Sequence, residues 1–213
     1  MRVLDVFSGS QSLRREFINN GHQVTSIDIK KYRNTSPDTL IMNFLDFDFK
    51  SYDQDHFNIL FFGLPCDAFS KASGGYHFTR THEPKTEFAN ISIELLIKTF
   101  ECIDHFNNAI FYIENPSGGL CNYPLVKQSL LDSKMFLYRF FMSQFGFCTP
   151  KQTDIFTNNT QLVIFDKFYR KNGIYQKQRF DHLSLNQKHS YPVDFCRFIC
   201  KWSDMYFGNQ VTC

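Results

Sequence analysis

Apolar positions along this chain fall in short runs, and the runs alternate with segments of helical period. Arg2 to Phe7 reads as a first strand, followed by a small polar turn at Ser8-Gly9-Ser10. Leu13, Phe17 and Ile18 then make the apolar stripe of a short helix that stops at Asn20-Gly21. Gln23 to Ile29 alternates as a second strand, so the chain opens with a strand–helix–strand unit, which predicts a parallel sheet. A weak strand is expected at Thr39–Met42 and a buried one at Phe57–Phe62. Residues 63–85 form a polar loop with Gly74-Gly75, too long to be a mere connector. The spacing next predicts a helix over Phe88–Phe106 with Ile91, Leu95, Ile97 and Phe100 apolar, then a buried strand at Ala109–Ile113. A helix over 123–132 and an aromatic strand over 135–144 follow. Residues 153–157 and 161–165 read as a hairpin around Asn158-Asn159, and a last helix runs from Tyr191 to Tyr206 with Pro192 in its first turn. The alternation predicts an α/β fold, and 213 residues suit one domain.

Composition changes this picture little. Hydrophobic content is 43%, and 26 phenylalanines foretell a dense aromatic core rather than disorder. The net charge of +2 demands no polyanionic partner. Its distribution says more: residues 1–149 carry 14 Lys and Arg against 16 Asp and Glu, while 150–213 carry 9 against 5. A basic C-terminal third can face phosphates. The seven cysteines are odd in number and lack paired short spacings, which argues against a disulfide framework. No Cys-x-x-Cys occurs, so no metal site is expected, and Cys196 and Cys200 read as buried packing on the last helix. Met1-Arg2 leads straight into a strand pattern, and no run approaches the ~18 apolar residues of a membrane span. A reducing cytoplasmic setting, without membrane contact, fits this usage.

Chemistry concentrates at four strand ends that a parallel sheet would gather along one edge: Ser8-Gly9, Asp28, Cys66 and Glu114. The small residues Ser8, Gly9 and Ser10 would let a ligand approach the backbone at a helix N-terminus. Asp28 ends the second strand some 20 residues later, the spacing of a carboxylate that binds ribose hydroxyls. Cys66 follows a buried strand and is preceded by Pro65, which favours a rigid, partly exposed loop over core packing. A thiolate there could add to an electron-poor ring carbon. Glu114 follows Ala109–Ile113, where burial favours a protonated acid able to donate.

These residues carry a resemblance. Leu4-Asp5-Val6-Phe7-Ser8-Gly9, Pro65-Cys66-x-x-Phe69-Ser70 and Glu114-Asn115-Pro116 resemble, in order and spacing, the cofactor, nucleophile and acid motifs of the cytosine-5 DNA methyltransferases. The turn from Phe7 to Ser12 is similar to that of short virus- or phage-borne members. The resemblance covers about residues 1–157 and implies a doubly wound, mostly parallel, Rossmann-like methyltransferase fold that uses S-adenosyl-L-methionine. It implies catalytic roles for Cys66, Glu114 and Lys151. Phe7, Ser8, Gly9, Ser10, Gln11, Ser12, Asp28, Ile29, Asp46 and Phe47 are the implied cofactor-binding positions, with no metal. Cys66 is expected to attack carbon 6 of a flipped-out cytosine while Glu114 engages ring nitrogen 3.

Two departures accompany it. Where the family has Gly-x-Pro-Gln-x-Arg-x-Arg, Lys151 falls at the first arginine and Thr153 at the second, and lysine keeps the charge without the planar fork. Between the catalytic core (1–157) and the closing segment (191–213), only residues 158–190 stand in place of a target-recognition region. That basic segment holds Lys167, Arg170, Lys171, Lys177, Arg179 and Lys188 among aromatic residues and is expected to meet DNA phosphates with little sequence reading. A protein partner supplying recognition is compatible with so short a segment. Other readings are a tRNA-modifying relative with the same chemistry, a catalytically impaired binding module, and a pyrimidine-modifying enzyme with another one-carbon donor.

Overall fold

The computed structural model describes residues 1–161 and 190–208. In chain order the main elements are β1 (Arg2–Val6), α1 (Ser12–Asn19), β2 (Gln23–Asp28), β3 (Leu40–Ile41), β4 (Ile59–Gly63) and α2 (Glu87–His105). They continue with β5 (Ile110–Pro116), α3 (Pro124–Leu131), β6 (Phe136–Phe141), β7 (Gln152–Thr157) and α4 (Val193–Gly208). The strands form one seven-stranded sheet in the order β3-β2-β1-β4-β5-β7-β6. β1 to β5 pair in parallel, while β7 runs antiparallel to both β5 and β6.

The central strands are apolar on both faces because both faces are covered, as parallel sheets require. Leu4, Val6, Leu60, Phe62, Phe111 and Ile113 point into one core with Leu95, Leu96 and Val126 from α2 and α3. Their neighbours Val3, Ile59, Phe61, Ile110 and Tyr112 point into the other, with Leu13 and Phe17 of α1 and Phe195, Phe198 and Trp202 of α4. This is the doubly wound sheet expected from the sequence.

Two local expectations change. The buried stripe of α2 is Ala89, Ser92, Leu95, Leu96, Thr99 and Cys102, whereas Ile91 and Ile97 are 40% and 45% exposed. The hydroxyls of Ser92 and Thr99 donate back to the carbonyls of Phe88 and Leu95, both at 2.8 Å, so these small polar residues can be buried without an unmet donor. Both edges of β7 are taken by β5 and β6, and residues 162–165, the second arm of the expected hairpin, lie outside the described residues. Asn158 instead docks on β5, accepting from the Phe111 N–H and donating to the Ala109 carbonyl, both at 3.0 Å. Asn159 is buried and donates to the Tyr112 hydroxyl at 3.1 Å.

Candidate active site

β2, β1, β4 and β5 are consecutive in the sheet, so the residues at their C-terminal ends face one edge. After β1 the chain turns sharply, with positive φ at Phe7 (60°), Gly9 (49°) and Gln11 (60°). Phe7 and Gln11 adopt a conformation that side chains other than glycine rarely take, so the surroundings must hold them there. The Ser8 N–H donates to the Ile27 carbonyl at 3.2 Å, and the Gly9 N–H donates to Asp28 Oδ2 at 2.7 Å. Asp28 Oδ1 accepts from the Lys30 N–H at 2.9 Å, so this carboxylate already fastens both strand ends. Ser8 Oγ is buried and lacks a hydrogen-bond partner among the described residues. Ser10 and Ser12 share a hydroxyl–hydroxyl bond of 2.9 Å. Gln11 is spent locally: its amide nitrogen donates to Thr39 Oγ1 at 2.5 Å and its oxygen accepts from the Ser36 N–H at 2.8 Å. Ile29 is 63% exposed beside Asp28, and Asp46 is exposed at the end of a short 3₁₀ turn. Phe47 lies in the core, while Phe7 packs edge-on against Phe44 (5.4 Å) and so ties that turn to the β1 loop.

Cys66 lies in a loop clamped from two sides. Asn115, fully buried on β5, donates from Nδ2 to the Leu64 carbonyl at 3.3 Å. Further on, the Phe69 carbonyl accepts from the Gly119 N–H at 2.7 Å, and Ser70 bridges to Gly118. Gly118 is required by this contact, because a Cβ there would collide with the Phe69 carbonyl oxygen. Gly118→Ala is therefore expected to force the two segments apart and to cost about 1–3 kcal/mol, read as a lowered thermal midpoint. An unchanged midpoint would mean that the two segments separate freely.

The Cys66 thiol is mostly buried, and burial pushes it up to about 11; the neighbouring Asp67 carboxylate adds to the rise, Lys151 opposes it and Glu114 adds again. Its Sγ lies 3.7 Å from Asp67 Oδ1. One strand over, Glu114 pairs with Gly63 across β4 and β5 and is 4% exposed. Its Oε1 is buried without a hydrogen-bond partner among the described residues and stands 3.7 Å from Lys151 Nζ. Thr153, the second departure, is fully buried on β7, and its hydroxyl has no hydrogen-bond partner among the described residues. The structure thus gathers Cys66, Glu114 and Lys151, three residues far apart in sequence.

Tyr191 was not legible as a site residue. Its hydroxyl donates to Glu114 Oε2 at 2.9 Å, across 77 positions of sequence. A tyrosine before a proline at a helix start carries no signal of that contact. The absent side chain of Gly63 matters in the same place, since a Cβ there would stand 2.7 Å from the Tyr191 hydroxyl.

His22, Cys200 and Asp204 bring one donor atom each within 4.8 Å of one another, the one such group among the described residues. They lie at the start of β2, away from the strand ends above, and His22 Nε2 stands 3.1 Å from Asp204 Oδ1, with burial pushing the imidazole below its ordinary range. Structural zinc takes four donors, and this group offers three. The basic positions Lys167, Arg170, Lys171, Lys177, Arg179 and Lys188 fall outside the described residues.

Neither a family model nor a curated protein matches the chain by sequence. Solved structures do match in shape. The fold is that of the Rossmann-like methyltransferases. S. pombe Dnmt2 methyltransferase aligns over 86% of this chain and 58% of its own, with a TM-score of 0.57 at 15% identity. The methyltransferase EhMeth of Entamoeba histolytica aligns over 74% of this chain and 52% of its own, with a TM-score of 0.54 at 14% identity. A protein described as a DNA modification methyltransferase encoded within an E. coli prophage aligns over 74% and 46%, with a TM-score of 0.51 at 17% identity. This chain therefore spans about half the length of these structures. Among the described residues, no helix is long and apolar enough to cross a membrane.

Proposed function

We propose that this protein methylates carbon 5 of cytosine in DNA through a transient bond to Cys66, with S-adenosyl-L-methionine as donor. The observation that carries this reading is the meeting of a thiol loop and a buried carboxyl at adjacent strand ends, with a lysine ammonium 3.7 Å from the carboxyl.

The β1 turn fits the donor. Ser8 has an orphaned buried hydroxyl, Gly9 offers close backbone approach, and Asp28 closes the neighbouring strand end. Phe7 to Ser10, Ser12, Asp28, Ile29 and Asp46 are the residues that would hold it, with Gln11 bracing the turn through Thr39 and Ser36 and Phe47 supporting it from the core. When bound, it supplies an electrophilic methyl group.

The chain's own residues supply the rest. Cys66 gives its proton to water, and its sulfur bonds to ring carbon 6, which opens the 5,6 double bond and moves that electron pair toward carbon 5 and the ring nitrogen. Glu114 meets ring nitrogen 3 and offsets the charge gathering on the ring; carbon 5 thereby becomes nucleophilic. Lys151 contributes a positive charge beside that acid. After carbon 5 is methylated, its proton passes to water, the freed electron pair re-forms the 5,6 double bond, and the Cys66 sulfur leaves carbon 6 as thiolate. Flipping the base costs a few kcal/mol, to be offset by pocket contacts and by the basic residues between 158 and 190.

Radioactive methyl transfer from labelled S-adenosyl-L-methionine to DNA, run beside tRNA, tests the reading. Label is expected in DNA, and bisulfite mapping is expected to place it at many cytosines, because the short recognition segment leaves little to read bases with. Label in tRNA alone would move the substrate to RNA. Methylation confined to one long site would overturn the low specificity.

A further inference from the structure

Glu114 has two carboxyl oxygens, and the structure treats them differently. Oε2 accepts a hydrogen bond from the Tyr191 hydroxyl at 2.9 Å, whereas Oε1 is buried, has no hydrogen-bond partner among the described residues and lies 3.7 Å from Lys151 Nζ. A free carboxyl group exchanges its oxygens by rotating; one held by a phenol does not. A hydrogen donated to Oε2 also directs any proton carried by the acid to Oε1.

The phenol is itself held firmly. The Tyr191 ring packs against Phe61 (5.8 Å) and Phe195 (5.3 Å), and Pro192 stiffens the backbone behind it. Its hydroxyl occupies the space that a side chain on Gly63 would fill, with a Cβ there only 2.7 Å away. Gly63 is also the register partner of Glu114, so the missing side chain opens the path between hydroxyl and carboxyl. Burial pushes the phenol well above its usual range, and the nearby Glu114, Asp5 and Cys196 push the same way, so it remains a donor at neutral pH.

We infer that Tyr191 is a positioning residue that reaches back from the closing segment, fixes Oε2 of Glu114 and presents Oε1 to ring nitrogen 3 of the target base. The assignment rests on the proposed function for its meaning, but the Tyr191–Glu114 bond can be tested without any activity.

The test uses the full chain labelled with carboxyl-¹³C glutamate. Six glutamates give six lines, and the Glu114 line is identified by its loss in Glu114→Gln. Tyr191→Phe keeps the ring and removes the hydroxyl, and Gly63→Ala crowds the hydroxyl away. Both are expected to move the Glu114 line at constant pH and to leave the other five in place. A Glu114 line unmoved by Tyr191→Phe overturns the inference. In methyl transfer to duplex poly(dG-dC), Tyr191→Phe is expected to lower kcat by ~10–100-fold. The pH profile should change shape while KM for S-adenosyl-L-methionine stays unchanged. A kcat and profile equal to the unsubstituted protein's would show that the bond positions nothing. If the unsubstituted protein transfers no methyl group to any cytosine, the proposed function fails, and the ¹³C line alone decides whether Tyr191 holds the acid.

Discussion

Cys66→Ser is expected to lower methyl transfer to cytosine on the order of 10³-fold or more, with no loss of fold. A serine hydroxyl has nearly the shape of the thiol but is a far weaker acid and nucleophile. The contacts that hold the loop are Asn115 to Leu64, Gly119 to Phe69 and the Ser70–Gly118 bridge, and none of them uses the sulfur. The thermal midpoint should therefore stay within about 1 °C, as for substitutions that break no packing. Duplex DNA carrying 5-fluorocytosine sharpens the test, because fluorine cannot leave carbon 5 as a proton does. The unsubstituted protein should form a stable covalent complex with it and the serine variant none. The raised thiol adds a pH signature. Burial holds Cys66 up to about 11, so at neutral pH only a small fraction is thiolate in the free protein. Below that value the fraction grows about tenfold per pH unit, and kcat/KM should rise from about pH 7 toward 9. A flat profile together with full activity of the serine variant would remove Cys66 from the reaction.

How much of this was legible in the sequence depended on how local its cause is. β1, β4 and β5 are apolar on both faces, so Leu4, Ile59–Phe62 and Ile110–Ile113 announce themselves without tertiary context. The convergence of Ser8, Asp28, Cys66 and Glu114 followed from parallel pairing alone. The stripe of α2 misled because Ile91 and Ile97 are large and apolar yet exposed, while Ser92 and Thr99 satisfy their hydroxyls on their own helix and turn inward. The two asparagines after β7 looked like a hairpin turn because turn residues and residues that cap a strand ladder are the same types. Only the fold shows that Asn158 serves β5 instead. Tyr191 lay beyond reach for a different cause: its partner is 77 positions away, and the room for its hydroxyl is the absent side chain of a third residue, Gly63. No local pattern records a vacancy of that kind.

The second large effect concerns Asp5, an acid in the middle of β1 between Ser26 on β2 and Phe61 on β4. It is 2% exposed, and its Oδ2 has no hydrogen-bond partner among the described residues. The nearby cation, Arg14, is already engaged by Asp38 at 2.6 Å, the Val24 carbonyl at 2.6 Å and Ser26 Oγ at 3.3 Å. Burial pushes the Asp5 carboxyl from its ordinary 3.8 up to about 7; Arg14 opposes the rise, and the like charge of Asp28 adds to it. Tyr191 and Cys196 also feel this carboxyl from α4 and the residues before it. Between those two values the folded chain keeps a proton that the unfolded chain has lost. The contribution of Asp5 to stability is thus fully present below about pH 4 and is lost as pH rises through about 7, a total on the order of 4 kcal/mol at most. Asp5→Asn keeps the size and the hydrogen-bonding capacity and removes the titration. Its thermal midpoint should exceed that of the unsubstituted protein at pH 8 by roughly 5–10 °C. The difference should shrink toward pH 5, where the acid is protonated in the fold. Parallel midpoints across that range would show that Asp5 does not titrate there. A variant less stable at every pH would show instead that the attraction of its charge to Arg14 outweighs its burial.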